Sequence, residues 1–256
     1  MEMSIQRWPI RDEGASRADD RAYWESVHRD DDYESVFSVG EDEAVLDAMV
    51  AEVLAGGARD ILVAGCGSRV ELQRALLSAA LEVSVTATDY AEVLAIASTR
   101  YAHAGLRYLA LEDRPEFVEE FDVVVSVNVL VKGSDEANRA LVKEWARALK
   151  PGGRLVMLVP ILFCGLDLAL LTGRRDLWEC LDLERSSWIE QAQGVREIEY
   201  SPLRIRRVLL EAGLHLSDLR LIFLESATSR AQARTSYELD DEDLPIYEQL
   251  VVARRD

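Results

Sequence analysis

The stretch Asp60-Ile-Leu-Val-Ala-Gly-Cys-Gly-Ser68 decides the fold of this chain. Residues 60–64 predict a strand that is buried on both faces of a sheet. The glycines at positions 65 and 67 predict a tight turn, and the apolar periodicity from Leu72 to Ala79 predicts a helix after it. Amide N–H groups in such a turn point at an anion at the helix N-terminus. A ligand-binding turn and a bare tight turn both fit this stretch, because glycine-rich turns often follow strands.

Short β-branched runs alternate with helical patterns beyond this stretch, as in βαβ units. The further strands are predicted at 83–87, 106–111, 122–127, 154–159, 216–224 and 246–253. The pattern therefore predicts an α/β fold with a doubly wound, seven-stranded, mostly parallel sheet.

The same pattern predicts how the chain is divided. We expect an N-terminal helical arm or cap over 1–56, a cofactor-binding Rossmann-like core over 57–160, a helical lid insertion over 161–200, and a closing helix and strand pair of the same domain over 201–256. The insertion is rich in Leu and Trp and interrupts the alternation, so we expect it to cover one end of the sheet. Between the last two strands, Glu238 and Asp240-Asp-Glu-Asp243 predict a solvated acidic loop.

Composition excludes several classes of protein. The 256 residues include 47 Asp and Glu against 29 Lys and Arg, a net charge of −18, with 49% hydrophobic and 30% charged residues. This is a globular composition, and its acidity argues against a nucleic-acid or membrane-surface partner, because phosphate contacts need clustered basic side chains. We expect no secretory signal, and no apolar run is long enough to span a bilayer. Three cysteines without CxxC spacing predict reduced thiols, so we expect a cytoplasmic protein.

The residues directly after each strand are the candidate site, because ligands bind outside the carboxyl ends of parallel strands. Asp89 follows the second strand and can accept hydrogen bonds from both hydroxyls of a ribose. The alternative is that Asp89 caps the next helix. Glu112 or Asp113, after the third strand, could accept a hydrogen bond from the exocyclic amine of an adenine. Asn128 and Val129 follow the fourth strand.

Four motifs in this order resemble one known family, the class I S-adenosylmethionine-dependent methyltransferases. They are Ile61-Leu-Val-Ala-Gly-Cys-Gly67, Thr88-Asp89, Phe121-Asp122-Val-Val-Val-Ser126 and Leu149-Lys-Pro-Gly-Gly153. The resemblance covers roughly residues 40 to 160, and the closing helix and strand pair match the family's final antiparallel hairpin. It implies a Rossmann-like methyltransferase fold, S-adenosylmethionine as cofactor, and methyl transfer.

The resemblance also implies roles for individual residues. The turn would lie against the aminocarboxypropyl arm of the cofactor, Asp89 on the ribose and Tyr90 beside the adenine. Glu112 or Asp113 would meet the adenine amine. The residues of the turn are Gly65, Cys66, Gly67 and Ser68, and those near the methionine part and its sulfonium are Asn128 and Val129.

Two positions depart from the family's first motif. Val63 stands where an acidic residue is usual, which removes one anchor for the cofactor's ammonium group. Arg69 stands in place of a third glycine, either reaching the cofactor carboxylate or exposed on the first helical turn. These departures leave two alternatives open: an enzyme that uses the cofactor for cyclisation or aminocarboxypropyl transfer, and a non-catalytic binding protein that docks a basic partner.

Methyl transfer needs few catalytic groups, because the enzyme mainly holds nucleophile, carbon and sulfur in line. His28, in the aromatic N-terminal arm, is the candidate base, and a solvated or core-edge histidine is the alternative that the general rarity of catalytic roles favours. The candidate substrate-pocket residues, whose alternative is ordinary packing, are Tyr23, Trp24, Trp178 and Trp188. Asp30-Asp-Asp32 and the acidic residues at 240–243 are interpreted as solvated faces, so no metal is expected.

The segment after the fourth strand bears on the substrate. Methyltransferases that act on nucleobases or glutamine tend to have Asn-Pro-Pro-Tyr there, whereas this chain has Asn128-Val-Leu-Val131. With the acidic charge and the insertion, this favours a small organic substrate, a specialised metabolite among the candidates. The acceptor atom (O, N or C) and the oligomeric state, a homodimer included, stay open.

Overall fold

A computed structural model describes residues 17–29, 42–80, 82–131, 134–190, 195–237 and 246–256. The acidic stretches Asp30–Asp32 and Asp240–Asp243, both interpreted as solvated, lie outside these residues, as does Glu238. Within the described ranges, no helix combines the length and apolar character needed to cross a bilayer.

Helices and strands alternate through most of the described chain. The helices are α1 (Arg17–Arg29), α2 (Glu43–Leu54), α3 (Glu71–Ala79), α4 (Ala91–Arg100), α5 (Asp135–Ala148), α6 (Leu162–Thr172), α7 (Arg175–Cys180), α8 (Pro202–Glu211) and α9 (Ala227–Tyr237). The strands are β1 (Asp60–Ala64), β2 (Ser84–Asp89), β3 (Leu106–Ala110), β4 (Phe121–Val127), β5 (Leu149–Pro160), β6 (Leu181–Asp182), β7 (Ser187–Glu190), β8 (Val195–Ile198), β9 (Leu214–Phe223) and β10 (Tyr247–Arg255).

Seven strands form the main sheet, in the order β3-β2-β1-β4-β5-β10-β9. The five strands from β3 to β5 are parallel, and β10 runs antiparallel to both β5 and β9. This confirms the predicted doubly wound, mostly parallel sheet. The strand order reverses between β1 and β4, where Ala64 pairs with Ser126, so the carboxyl ends of these strands flank the crevice in which such sheets bind ligands.

Both faces of the sheet are buried, which explains the continuous apolar runs of β1 and β4. Alternate residues of each strand point to opposite faces, so Ile61 joins the core beneath α2 and α3, and Leu62 the core beneath α5 and α8. On the first face Met49 of α2 is buried, and on the second Trp145 of α5. The sheet is therefore a rigid platform for the residues at its carboxyl edge.

The insertion after β5 is only partly helical. The helices α6 and α7 form its first part, but β6, β7 and β8 then form a separate antiparallel sheet. The expectation of a helical insertion therefore holds for α6 and α7 and is wrong for β6, β7 and β8. Trp188 of β7 packs against Gly165 of α6.

The helix α9, between β9 and β10, is a second difference from the sequence prediction, which expected only an acidic loop there. At its start, the hydroxyl of Ser226 accepts a hydrogen bond from the backbone N–H of Ser229 (3.0 Å). The backbone N–H of Ser226 in turn donates to Asp42 (2.8 Å), whose other carboxylate oxygen caps α2. One buried carboxylate therefore fixes the starts of two helices that are distant in sequence.

Candidate functional site

The turn between β1 and α3 lies directly against the end of β4. Gly65 and Gly67 both have positive φ, of 64° and 61°, which favours glycine. A Cβ atom on Gly65 would lie 2.4 Å from Cγ2 of Val129. The backbone N–H of Cys66 donates to the carbonyl of Thr88 (3.0 Å), which fixes the turn to the end of β2. Burial raises the pKa of the Cys66 thiol, so this side chain is neutral.

Asp89 holds the same turn from the end of β2. Its carboxylate is buried and accepts two hydrogen bonds at 2.8 Å, one from the backbone N–H of Gly67 and one from that of Tyr90. The N-cap residue of α4 is Tyr90, so the interpretation of Asp89 as a helix cap is wrong. A carboxylate offers about four lone-pair positions, so Asp89 keeps capacity for ligand hydroxyls.

The helix α1 reaches this turn through His28. Its Nδ1 accepts a hydrogen bond from the backbone N–H of Ser68 (3.3 Å) and lies 3.1 Å from the Ser68 hydroxyl. Burial, with repulsion from Arg100, lowers the pKa of His28 from 6.5 to about 4. The ring is therefore neutral at neutral pH, with its Nδ1 directed at the turn. This geometry suits a residue that holds the turn, and the role of His28 as a base remains a prediction.

A second residue of α1, Arg21, joins two residues that sequence reasoning placed at the adenine. Its Nη1 lies 2.7 Å from Oε1 of Glu112, and its guanidinium lies 6.0 Å from the centre of the Tyr90 ring. Asp113 is exposed, and its backbone N–H donates to the carbonyl of Ala110. Of the two acidic candidates, Glu112 is therefore the one that Arg21 links to the Tyr90 ring. Sequence reasoning missed Arg21. It could have been found because it precedes His28 by seven positions, which places both residues on the same face of a helix.

Asn128 contacts a residue that sequence reasoning missed. Asn128 has a positive φ of 51°, and its Nδ2 donates to Oε1 of Glu248 on β10 (2.9 Å). Glu248 pairs in register with Pro160, at the carboxyl end of β5. Burial raises the pKa of Glu248 from 4.5 to about 7. Because 120 positions separate the two residues, no local pattern in the sequence could have shown this contact.

The four aromatic pocket candidates lie on different elements. Tyr23 and Trp24 are half-buried on α1, with ring centres 5.2 Å apart. Trp188 is only 3% exposed, in the core of the insertion, whereas Trp178 on α7 is 41% exposed. Their contact with a substrate remains a prediction. Within the part of the chain that the structure describes, no group of three or more potential metal ligands occurs.

Comparisons with known proteins agree with this geometry. Residues 62–157 match the family model for a methyltransferase domain. No curated protein sequence matches the chain significantly.

Several solved structures share the fold. An S-adenosylmethionine-dependent methyltransferase from Mesorhizobium loti has a TM-score of 0.54 at 23% identity, covering 83% of this chain and 96% of that one. The 1,6-didemethyltoxoflavin-N1-methyltransferase of Burkholderia thailandensis has a TM-score of 0.64 at 17% identity, covering 100% and 98%. The magnesium protoporphyrin IX methyltransferase of Synechocystis PCC 6803, with bound S-adenosylhomocysteine, has a TM-score of 0.63 at 16% identity, covering 94% and 100%.

Residues 62–157 therefore form a methyltransferase domain, and the chain has the fold of S-adenosylmethionine-dependent methyltransferases. In this domain, Val63 occupies the position of the usual first-motif acid. Val63 belongs to the core, because it is buried and pairs with Ala87 and Val125. Arg69 lies before α3 and is half-buried, with a buried Nη2 atom. The interpretation of Arg69 as an exposed residue on the first helical turn is therefore wrong, and its role towards the cofactor carboxylate remains a prediction.

Proposed function

We propose that this methyltransferase transfers the methyl group of S-adenosylmethionine to a small organic molecule. The observation that carries the proposal is the hydrogen bond between the Gly67 backbone and the buried carboxylate of Asp89. It joins a turn of positive-φ glycines to an acid at the adjacent strand end, at the point where the strand order reverses. This is the place where doubly wound sheets bind nucleosides.

The residues at this edge fit an adenosyl cofactor. The glycine turn provides backbone N–H groups for the aminocarboxypropyl arm, and Asp89 retains acceptor capacity for the ribose hydroxyls. Tyr90 and Glu112, joined by Arg21, provide a ring and a carboxylate for the adenine. Asn128 and Val129, at the end of β4, would lie near the methionine part.

The chain's own contribution to the reaction is positioning. When bound, the cofactor supplies an electrophilic methyl group, and the protein holds the acceptor atom in line with it and excludes water. Through His28 and Arg21, α1 holds the turn and covers the adenine side. We propose that the insertion over residues 161–200 covers the substrate as a lid. Residues 57–160, between the N-terminal arm and the insertion in the sequence, would then bind the cofactor.

The charge of the chain and the named neighbours support a small-molecule substrate. A net charge of −18 disfavours polyanionic substrates. Two structures that share the fold are named for toxoflavin-precursor and magnesium-protoporphyrin substrates. A reducing, cytoplasmic location remains part of the proposal, supported by three cysteines that form no disulfide in the structure.

A methyl-labelled cofactor tests the proposal. The purified protein is incubated with deuteromethyl S-adenosylmethionine and a cell extract divided into small molecules, proteins and nucleic acids. We expect label in a small molecule, accompanied by S-adenosylhomocysteine. Label confined to protein or nucleic acid would contradict the substrate class, and consumption of cofactor without transfer of label would favour cyclisation or aminocarboxypropyl transfer.

A further inference from the structure

We propose that Glu248 is the catalytic base of this methyltransferase and takes the proton from an N–H or O–H group of the methyl acceptor. The inference rests on the proposed function, because it requires a methyl donor at the neighbouring glycine turn. It also assigns a chemical class to the substrate: the methylated atom carries a proton before the reaction.

Two buried acceptor atoms favour a hydrogen-bond donor at this place. Across the described chain, Oε2 of Glu248 and Oδ1 of Asn128 are buried and lack a hydrogen-bond partner. The other two polar atoms of these side chains, Nδ2 of Asn128 and Oε1 of Glu248, bond to each other at 2.9 Å. Leaving a buried acceptor unsatisfied is costly, so this edge of the sheet is suited to a ligand that brings an N–H or O–H group.

The pair lies beside the proposed methyl donor. Asn128 is followed by Val129, whose side chain packs against Gly65 of the cofactor turn. The backbone N–H of Asn128 donates to the carbonyl of Leu158 on β5 (2.9 Å), and Glu248 pairs with Pro160 of the same strand. Strand β5 therefore fixes the backbone positions of both Asn128 and Glu248 relative to the turn. A catalytic base must be positioned in this way.

The surroundings of Glu248 keep it near the midpoint of its titration at neutral pH. On the sheet it is flanked by Pro160 and Ile222, which carry no charge. From α6, Cys164 faces it, and burial raises the pKa of that thiol to about 12, so the thiol is neutral. The nearby carboxylate of Asp167 accepts a hydrogen bond from the Tyr247 hydroxyl.

Glu199 also influences the Cys164 thiol, which places a further carboxylate in this neighbourhood. Burial raises the pKa of Glu248 and the hydrogen bond from Asn128 lowers it, which leaves a pKa of about 7, a value matched to accepting a proton at neutral pH.

The proposed step balances as follows. The N–H or O–H proton of the acceptor passes to Oε2 of Glu248. The lone pair of the acceptor nitrogen or oxygen forms the bond to the methyl carbon, and the electron pair of the carbon–sulfur bond returns to sulfur. The products are the methylated molecule, S-adenosylhomocysteine and a protonated Glu248, which loses its proton to solvent when the site opens.

Proton release on cofactor binding tests the position of Glu248 without a known substrate. S-adenosylmethionine carries a sulfonium charge and S-adenosylhomocysteine does not, so only the former lowers the pKa of a carboxyl next to the sulfur. At pH 7, a group with a pKa of about 7 is half protonated, and we expect up to about half a proton released per site with S-adenosylmethionine. Calorimetry in two buffers of different ionisation enthalpy measures this number.

We expect the excess release with S-adenosylmethionine to disappear in Glu248→Gln and to persist in Glu225→Gln, an exposed control, with both variants binding S-adenosylhomocysteine as the wild type does. Equal proton release with both ligands in the wild type, or an undiminished excess in E248Q, would overturn the inference. If neither ligand binds, the proposed function itself fails.

Asn128→Ala provides a second test should E248Q fold poorly. The hydrogen bond from Asn128 lowers the pKa of Glu248, so its removal is expected to move the excess release to higher pH. An unchanged pH dependence would contradict the inference.

Discussion

The ring of His28 accepts a hydrogen bond from the backbone N–H of Ser68, 40 positions later in the chain. It ties the N-terminal helix to the glycine turn, and burial of the ring gives it a pKa of about 4 instead of 6.5. The folded protein therefore binds fewer protons on His28 than the unfolded chain between these two values. This residue stabilises the fold at pH above 6.5, and its contribution falls as the pH is lowered through that window.

The first prediction concerns this pH dependence. His28→Gln keeps a hydrogen-bond acceptor but cannot be protonated, so it is expected to gain stability relative to the wild type on acidification from pH 7 to pH 4, by at most about 3 kcal/mol. Urea unfolding at several pH values measures the difference. His103→Gln, at an exposed position, is the control and should track the wild type. A constant difference between H28Q and wild type would show that the buried ring does not titrate as described.

Glu248 is predicted to produce the opposite pH dependence. Its pKa is raised by burial from 4.5 to about 7, so the folded protein binds more protons than the unfolded chain in this window. The wild type therefore loses stability as the pH rises from 4.5 to 7, by at most about 3 kcal/mol from this group, and E248Q does not. As the pH rises towards 8, the unfolding free energy of E248Q should increase relative to that of the wild type. A shift in the other direction would exclude a raised pKa.

The packing of Gly65 against Val129 gives a third prediction. Gly65→Ala adds a Cβ at 2.4 Å from Cγ2 of Val129 at a positive φ, and we expect a loss of about 2–4 kcal/mol in unfolding free energy. Gly57→Ala is the matched control, because Gly57 has a positive φ of 76° with nothing within 4 Å of the added atom. It should lose about 1 kcal/mol, from backbone strain alone.

Val129→Ala combined with Gly65→Ala should lose less stability than the sum of the two single changes, since the second change removes the clash. Additive losses would place the effect elsewhere than in this contact.

The ion pair between Arg21 and Glu112 gives a fourth prediction, about how α1 covers the site. We expect S-adenosylhomocysteine to protect residues 17–29 from hydrogen exchange, because α1 contacts the turn and Glu112, where we propose that the adenine lies. Arg21→Ala should weaken this protection, whereas Arg175→Ala, an exposed control in the insertion, should not change it. Exchange in α1 that is indifferent to ligand in the wild type would contradict a covering role.

The sequence predicted the parts of the molecule that short-range patterns determine. The glycine turn and Asp89 could be found because a buried strand, a turn and an acid follow each other within 30 positions, and the parallel sheet places them at one edge. The same alternation predicted seven, mostly parallel strands. His28 was found as a residue of interest, although its contact with Ser68 could not be foreseen.

The missed features depend on distant contacts. Trp188 of β7 packs on Gly165 of α6, and α9 begins where Ser226 meets Asp42, 184 positions earlier. Glu248 reaches Asn128 only because β10 returns antiparallel beside β5. Propensity and periodicity describe neighbours along the chain, so they carry no information about such pairs.

The central claim is that a nucleoside cofactor binds where Asp89 meets the turn at Gly67, and calorimetric titration with S-adenosylhomocysteine tests it most directly. We expect saturable binding to the wild type, weakened roughly 10- to 100-fold in Asp89→Asn, since a hydrogen bond to a charged group contributes about 1.5–3 kcal/mol. Asp113→Asn, an exposed control, should bind as the wild type does. Absence of binding to folded wild-type protein, or equal affinity in D89N, would contradict the account.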